Sequence, residues 1–245
     1  MRVLSNQEVL GVWETGLEQH PVDRALSILS ATLPGVDRNR LAILSVGRRD
    51  GYLMDVREAN FGSRIFGLAD CPGCQESLEW TLDLGDVRVA RNDTDDEGGT
   101  GRLTTGGYEL LFRLPDSTDL AAIAVSNNAA VGRDVLLRRC VLEARRGSEE
   151  VEASSLPEPV ELELAAAMEA RDPQAETLLD FECPSCGLRW QALFDVLTFL
   201  WDEICARARH LLNEVHSLAS VYGWTEKDIL QMSAARRRFY LEAAT

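Results

Sequence analysis

"CPGC" (Cys71–Cys74) and "CPSC" (Cys183–Cys186) decide how this chain is read. Each pair stands on the same frame. An acidic residue precedes it (Asp70, Glu182), and a run alternating polar and apolar residues follows it ("QESLEWTLDL", "GLRWQALFDV"). The gap between them is 108 residues. Structural zinc takes four ligands in a tetrahedron and often uses four thiolates. A CxxC turn presents two sulfurs from one knuckle, so two such turns complete the shell. With strands on both sides, the expected object is a zinc ribbon split by a large insertion, its metal held by Cys71, Cys74, Cys183 and Cys186. A four-sulfur shell leaves no position open to activate water, so this zinc is expected to be structural. Redox use is the competing reading. A thioredoxin-like CxxC opens a helix, whose dipole lowers the thiol pKa. Here strands follow, and the preceding acid is expected to raise it.

The remaining composition narrows the function classes. The chain has 245 residues, 45% of them hydrophobic, and a formal charge of −15. It can bury a sizeable core. Its negative surface opposes phosphate backbones and anionic lipids. No apolar run reaches a membrane span, and the N-terminal stretch lacks a secretory pattern, so a cytoplasmic protein is expected. Six cysteines in a reducing compartment point to metal or redox work rather than disulfides. Of 25 basic residues only Lys227 is lysine, a bias attributed to base composition.

Outward from the cysteines, the apolar spacing predicts helices on both sides. Ser5 and Glu8 form a capping box, Pro21 opens a second helix, and a third ends at Gly62. "YELLFRLP" (108–115) reads as a strand and 91–101 as an acidic loop. Helices are expected over "DSTDLAAIAVS", "AVGRDVLLRRCVLEARR" and "PEPVELELAAAMEARDP", with a polar linker at 147–156. Cys140 falls mid-helix as a core residue. Leu193, Leu197, Leu200, Ile204, Ala208, Leu211, Val215, Leu218 and Tyr222 predict one long amphipathic helix stopped by Gly223. The fold class is α+β, mainly α-helical, with the split ribbon surrounded by helices. The expected regions are an N-terminal helical part (1–66), the first half-ribbon (67–90), an insertion of strand and helices (91–175), the second half-ribbon (176–193) and a C-terminal helical part (194–245).

No catalytic set emerges. His210, Glu214 and His216 lack the HExxH spacing and read as a solvated or partly packed helix face; His20 reads as an exposed turn residue. No phosphate loop, dinucleotide fingerprint or nucleophile elbow is present. Enzyme activity and a small-molecule substrate are not expected. "ARRRFYLE" sets Arg236, Arg237 and Arg238 beside Phe239 and Tyr240. On an acidic chain this reads as a terminal helix docking on the body or on a protein partner.

The order "VDRALSIL", "LSVGRRDGYLMDVREANFG", "LADCPGC", "FRLPDSTDL", "LLRRC", "DPQAE", "FECPSCGLRWQALFDVLTFLWDEI" and "LLNEVHSLASVYGWTEKDILQMSAARRRFYLE" resembles the T-even-type phage baseplate hub assembly chaperones. These are encoded with contractile phage tails and contractile injection systems. The resemblance implies a non-enzymatic assembly role, as chaperone or minor structural component, with baseplate hub, spike or other tail proteins as partners. Trp224, Arg237, Phe239 and Tyr240 are then the candidate partner contacts. Two alternatives stay open: a zinc-ribbon regulator binding nucleic acid, which the charge opposes, and a CxxC thiol redox protein.

Overall fold

Local signals set most helix starts. Helix α1 (Asn6–Gly16) begins on the predicted capping box, with the Ser5 side chain accepting the Glu8 N–H and the Glu8 carboxylate accepting the Ser5 N–H. Helix α2 (Pro21–Thr32) is capped by His20, exposed as expected, whose Nδ1 accepts the Val22 N–H at 3.3 Å. A short α3 (Arg38–Ala42), not foreseen in the sequence, leads into α4 (Val46–Phe61), which ends at Gly62. This computed structural model describes residues 2–90, 99–125 and 128–244. Most of the acidic stretch expected as a loop therefore lies outside the described residues.

Two hairpins carry the cysteine pairs, and a sheet lies between them. Strands β1 (Arg64–Asp70) and β2 (Ser77–Asp83) form the first hairpin, followed by a turn of helix, α5 (Leu84–Val87). Next come β3 (Thr100–Thr105), β4 (Tyr108–Arg113), α6 (Ser117–Ala124), α7 (Ala129–Cys140), β5 (Val141–Arg146), β6 (Glu149–Glu150) and α8 (Glu158–Arg171). The order β3-β4-β5-β6 is antiparallel throughout. Strands β7 (Leu178–Glu182) and β8 (Arg189–Leu193) make the second hairpin. Then follow α9 (Val196–Tyr222), α10 (Glu226–Gln231) and α11 (Ala234–Ala243). The protein is mixed helix and sheet, and mostly helical.

Two expectations are corrected. The helix read over 130–146 stops at Cys140, and Val141 starts β5 with no linker. Pairing with β4 decides this: Val141 lies opposite Phe112 and Ala144 opposite Leu110, and both are buried. The tertiary ladder overrides a local pattern that suits a helix equally well. The long helix starts at Val196 rather than Leu193, because Asp195 accepts the Leu197 and Thr198 N–H groups as N-cap and Leu193 is still paired with Leu178. It spans 27 residues, about 40 Å, and ends at Gly223 with φ 69° as foreseen.

Among the described residues there are two hydrophobic cores. The larger joins α1, α2, α4 and α9 through Val9, Ile28, Leu29, Leu53, Leu200, Ile204 and Ala208, and takes in Ile65 of β1 and Leu84 of α5. The smaller belongs to the insertion, where Val160 and Leu164 of α8 cover Tyr108, Leu110, Phe112, Val141 and Ala144 of the sheet. The insertion thus holds a four-stranded sheet with its own core, more than the single strand expected.

The seam between the cores is polar and built from four distant motifs. The Gly47 N–H of "GRRD" donates to Asp172 of "DPQAE" at 2.8 Å. A Cβ on Gly47 would lie 2.2 Å from the Asp172 Oδ1, so no other residue fits there unshifted. Val46 N–H donates to the Pro115 carbonyl at 3.0 Å, and Ser45 bridges Asp116. Beside it, fully buried Asp119 of "FRLPDSTDL" accepts two bonds from Arg113 (2.6 and 2.8 Å) and one from Arg139 of "LLRRC" (2.6 Å). These donors hold its carboxyl well below the usual range although burial opposes it. Gln174 clamps the insertion's two ends, accepting the Val89 N–H at 2.8 Å and donating to the Val87 carbonyl at 3.3 Å.

Candidate metal centre

The two knuckles are built alike, bond for bond. In the first, Cys71 N–H donates to the Glu76 carbonyl (2.9 Å) and Gln75 N–H to the Cys71 carbonyl (2.8 Å). In the second, Cys183 N–H donates to the Leu188 carbonyl and Gly187 N–H to the Cys183 carbonyl, both at 2.9 Å. Both turns need a left-handed residue after the second cysteine. Gly187 (φ 73°) adopts it freely, whereas Gln75 (φ 62°) is the one non-glycine with positive φ among the described residues.

This matching brings the sequence-predicted cysteines together. Cys71 Sγ lies 3.6 Å from Cys186 Sγ and Cys74 Sγ lies 3.5 Å from Cys183 Sγ. All four sulfurs are within 4.8 Å of one another, and none is in a disulfide. A tetrahedral ion with metal–sulfur bonds near 2.3 Å would set sulfurs about 3.8 Å apart. The cluster therefore has the size and donor chemistry to hold a soft metal ion. Cys71 and Cys183 are buried; Cys74 and Cys186 are exposed.

Backbone N–H groups point at the sulfurs. At Cys71, burial pushes the thiol up, but N–H groups of Cys74 and Gly73 and the thiols of Cys186 and Cys183 outweigh it, leaving it at about 7. At Cys74 the Glu76 N–H pulls down, yet the Cys183 thiol and burial prevail and push it up to about 12. Cys186 is also raised: the Leu188 N–H pulls down and the Cys71 thiol with burial pushes up. Cys74 and Cys186 thus give up their protons less readily than ordinary thiols unless a cation joins them. The acids before each pair, expected to raise the thiols, are not among the main causes at Cys71, Cys74 or Cys186. Asp70 accepts the Ser77 hydroxyl and Glu182 pairs with Arg189 (2.8 Å), each across its own hairpin.

An aromatic stack sets the hairpins face to face. Trp80 of β2 meets Phe181 of β7 edge-on (6.1 Å), and Phe181 stacks on Trp190 of β8 (5.3 Å). Trp80 also meets Phe199 of α9 (5.4 Å), tying the hairpins to the larger core. Cys140 is buried beside Asp119 and far up the thiol scale, at about 12, chiefly through burial. It is a core residue as predicted, though at the helix end. Exposed His210 lies 3.3 Å from Glu214, whose carboxylate is buried against Arg237 rather than solvated.

The candidate partner residues divide. Arg237 is buried and turned inward, donating to Glu214 (2.7 Å) and to the Met232 carbonyl (2.6 Å). It docks α11 on α9, which corrects its placement on a partner surface. Trp224 and Tyr240 are half-buried, stacked or edge-on with Tyr222 at 4.5 and 5.7 Å. Phe239 alone of the four is exposed, at 65%. Sequence reading missed Asp119, Asp172 and Gln174; a D-x-x-D capping box at Asp116 and Asp119 was the one local signal available.

A family model described as T4 bacteriophage base plate protein matches residues 18–201, which include both knuckles and the whole insertion. The chain belongs to this family of phage baseplate proteins. No curated protein and no solved structure matches it. Among the described residues no helix is long and apolar enough to cross a membrane.

Proposed function

We propose that this protein is a non-enzymatic assembly factor, chaperone or minor component, for the baseplate hub of a contractile phage tail or injection system. Its four clustered cysteines hold one structural zinc, which makes the two hairpins a split zinc ribbon. Membership of the baseplate family carries the functional reading. The closed set of four sulfurs carries the zinc reading, since thiolates favour zinc and leave it no open position. The buried acidic residues serve the fold: Asp119 and Asp172 at the seam and Glu214 under α11 each meet backbone or arginine donors. The protein works in the cytoplasm, where it meets hub, spike or other tail proteins. Phe239, beside the Trp224–Tyr240 cluster, is the residue of the C-terminal helices best placed to touch one.

The test is co-expression of the tagged full chain with each baseplate protein of its own gene cluster, followed by capture and metal analysis. Recovery of a hub or spike protein with one zinc per chain is the expected result. A protein that ignores every baseplate component would sink the assembly reading, and metal-free protein purified without chelator would sink the zinc.

A further inference from the structure

Strand β1 has a free edge with an unusual pattern on it. Two backbone bonds bracket its ladder with β2: Leu84 N–H to Ser63 carbonyl at 3.0 Å, and Cys71 N–H to Glu76 carbonyl at 2.9 Å. Between them the register runs unshifted from Arg64 opposite Asp83 to Asp70 opposite Ser77. Residues of an antiparallel pair alternate between bonded and non-bonded positions. Odd-numbered residues therefore bond to β2, and residues 64, 66, 68 and 70 aim their N–H and C=O groups outward. The Arg57 guanidinium takes the Arg64 carbonyl (2.7 Å) on that side. Among the described residues nothing bonds the outward backbone groups of Phe66 or Leu68. Their side chains are 71% and 70% exposed. Proteins usually blunt such an edge with lysine, proline, a bulge or brevity. This seven-residue strand, "RIFGLAD", has none of these.

We propose that β1 is a dimerisation edge, pairing antiparallel with β1 of a second copy of this chain about a two-fold axis at Gly67. A two-fold interface must be complementary to itself, and this strand is. Centring on Gly67 sets Arg64 opposite Asp70 of the second copy and Phe66 opposite its Leu68, and the same pairs recur by symmetry. All eight side chains lie on one face, and the facing residues are those with outward backbone groups, so about six new ladder bonds form, the Arg64 carbonyls being already taken by Arg57. Each pair is of the kind that stabilises antiparallel neighbours. Arg64 would then lie between its own Asp83, which it already favours electrostatically, and Asp70 of the second copy.

The other hairpin edges fail the same requirement. The outward residues of β7 are Leu178, Asp180 and Glu182, and self-pairing sets Asp180 against Asp180. Those of β2 are Ser77, Glu79, Thr81 and Asp83, two carboxylates with no base to meet them. Those of β8 set Arg189 against Leu193. A two-stranded sheet is marginal alone, and the dimer turns β1–β2 into a continuous four-stranded sheet.

Sedimentation equilibrium of the full chain tests this without reference to metal or tail partners. The native protein is expected to dimerise at micromolar concentration. Arg64→Asp alone, or Asp70→Arg alone, sets like charges opposite each other at both ends and should weaken the dimer about tenfold. The double swap, Arg64→Asp with Asp70→Arg, restores opposite charges and should restore the dimer. Leu68→Pro removes an outward N–H that β2 does not use, so it should abolish the dimer while far-UV circular dichroism stays native. A monomer at every concentration up to about 100 µM overturns the proposal. So does a dimer indifferent to the single reversals. Single reversals that the swap fails to rescue, or capture of a segment of a different protein on this edge, also overturn it.

Discussion

Replacing Asp119 by Asn tests whether the seam is held by a buried negative charge. The carboxylate is fully buried and accepts four good hydrogen bonds: two from Arg113, one from Arg139 and one from the Asp116 N–H at 2.9 Å. Asn keeps the shape but offers one acceptor, and its amide N–H₂ faces guanidinium donors. Breaking a buried ion pair from one side costs about 3–5 kcal/mol, because the remaining charge loses its compensation. Arg113 and Arg139 reach solvent in part, with side chains 22% and 39% exposed. That places the expected loss near the lower end, about 3 kcal/mol. With a urea slope of about 2 kcal/mol/M the midpoint should fall by about 1.5 M. The pH dependence has a definite sign. Because the folded-state pKa is depressed, the contribution is fully present above the unfolded value near 3.9 and is lost as pH falls through the folded one. The gap between native and variant, read by urea unfolding, should therefore be constant from pH 5 to 7 and narrow only below about pH 4. A variant within about 0.5 kcal/mol of native at pH 7 would refute the argument. So would a gap that widens in acid.

Cys71→Ser and Cys183→Ser should each lose the proposed zinc and destabilise the protein severely, whereas Cys140→Ser and Cys205→Ser should keep one zinc per chain by elemental analysis. Zinc affinity should climb as pH rises from 6 to 8, because the Cys74 and Cys186 thiols lie above their ordinary value and must give up protons to bind; calorimetry in buffers of different ionisation enthalpy should count at least two protons released. Gln75→Gly relieves about 1–2 kcal/mol of left-handed strain and loses about 0.5–1 kcal/mol to unfolded-state freedom, so a net gain of about 0.5 kcal/mol is expected in thermal unfolding. Gln174→Ala leaves the Val89 N–H and the Val87 carbonyl without their partner, which should cost about 1–3 kcal/mol and lower zinc affinity in a chelator competition; unchanged affinity would show that the clamp does not serve the metal.

What could be read from the sequence was local. The knuckles, the Ser5–Glu8 box, the Gly62 and Gly223 stops and the strands flanking each CPxC all depend on residues within a few positions of one another. What could not be read depends on contacts across the chain. Val141 begins a strand because β4 is beside it, which no window over 130–146 reveals. Arg237 stands in a basic, aromatic stretch that resembles a surface, but Glu214, 23 positions earlier, draws it inward. Asp172 and Gln174 look like ordinary loop residues until Gly47 and Val89, more than eighty positions away, supply their partners. The motifs "GRRD", "FRLPDSTDL" and "DPQAE" were visible as strings. Their shared purpose, one seam between two cores, was not.

That seam also explains how a four-sulfur site spans a 108-residue gap. Closing a flexible loop costs more as it lengthens, about 0.6 kcal/mol per doubling. The insertion is not such a loop, because its sheet and α8 enclose a separate core. Gln174 already joins its ends, bonding Val87 and Val89 on one side while standing just before β7 on the other. Only fifteen positions separate Cys74 from Val89, and nine separate Gln174 from Cys183. The loop that the cysteines close is thus about a quarter of the apparent length, two halvings, which removes about 1.2 kcal/mol of closure cost. More consequentially, the hairpins reach each other already oriented, with Trp80 packed against Phe181 of the second hairpin, Phe181 against Trp190, and Trp80 against Phe199 of α9. A metal bound there does not have to gather distant segments. It locks two marginal hairpins against the helical core, and through Gln174 it fixes the insertion to the same frame. This is a role the four sulfurs can fill without any chemistry of their own.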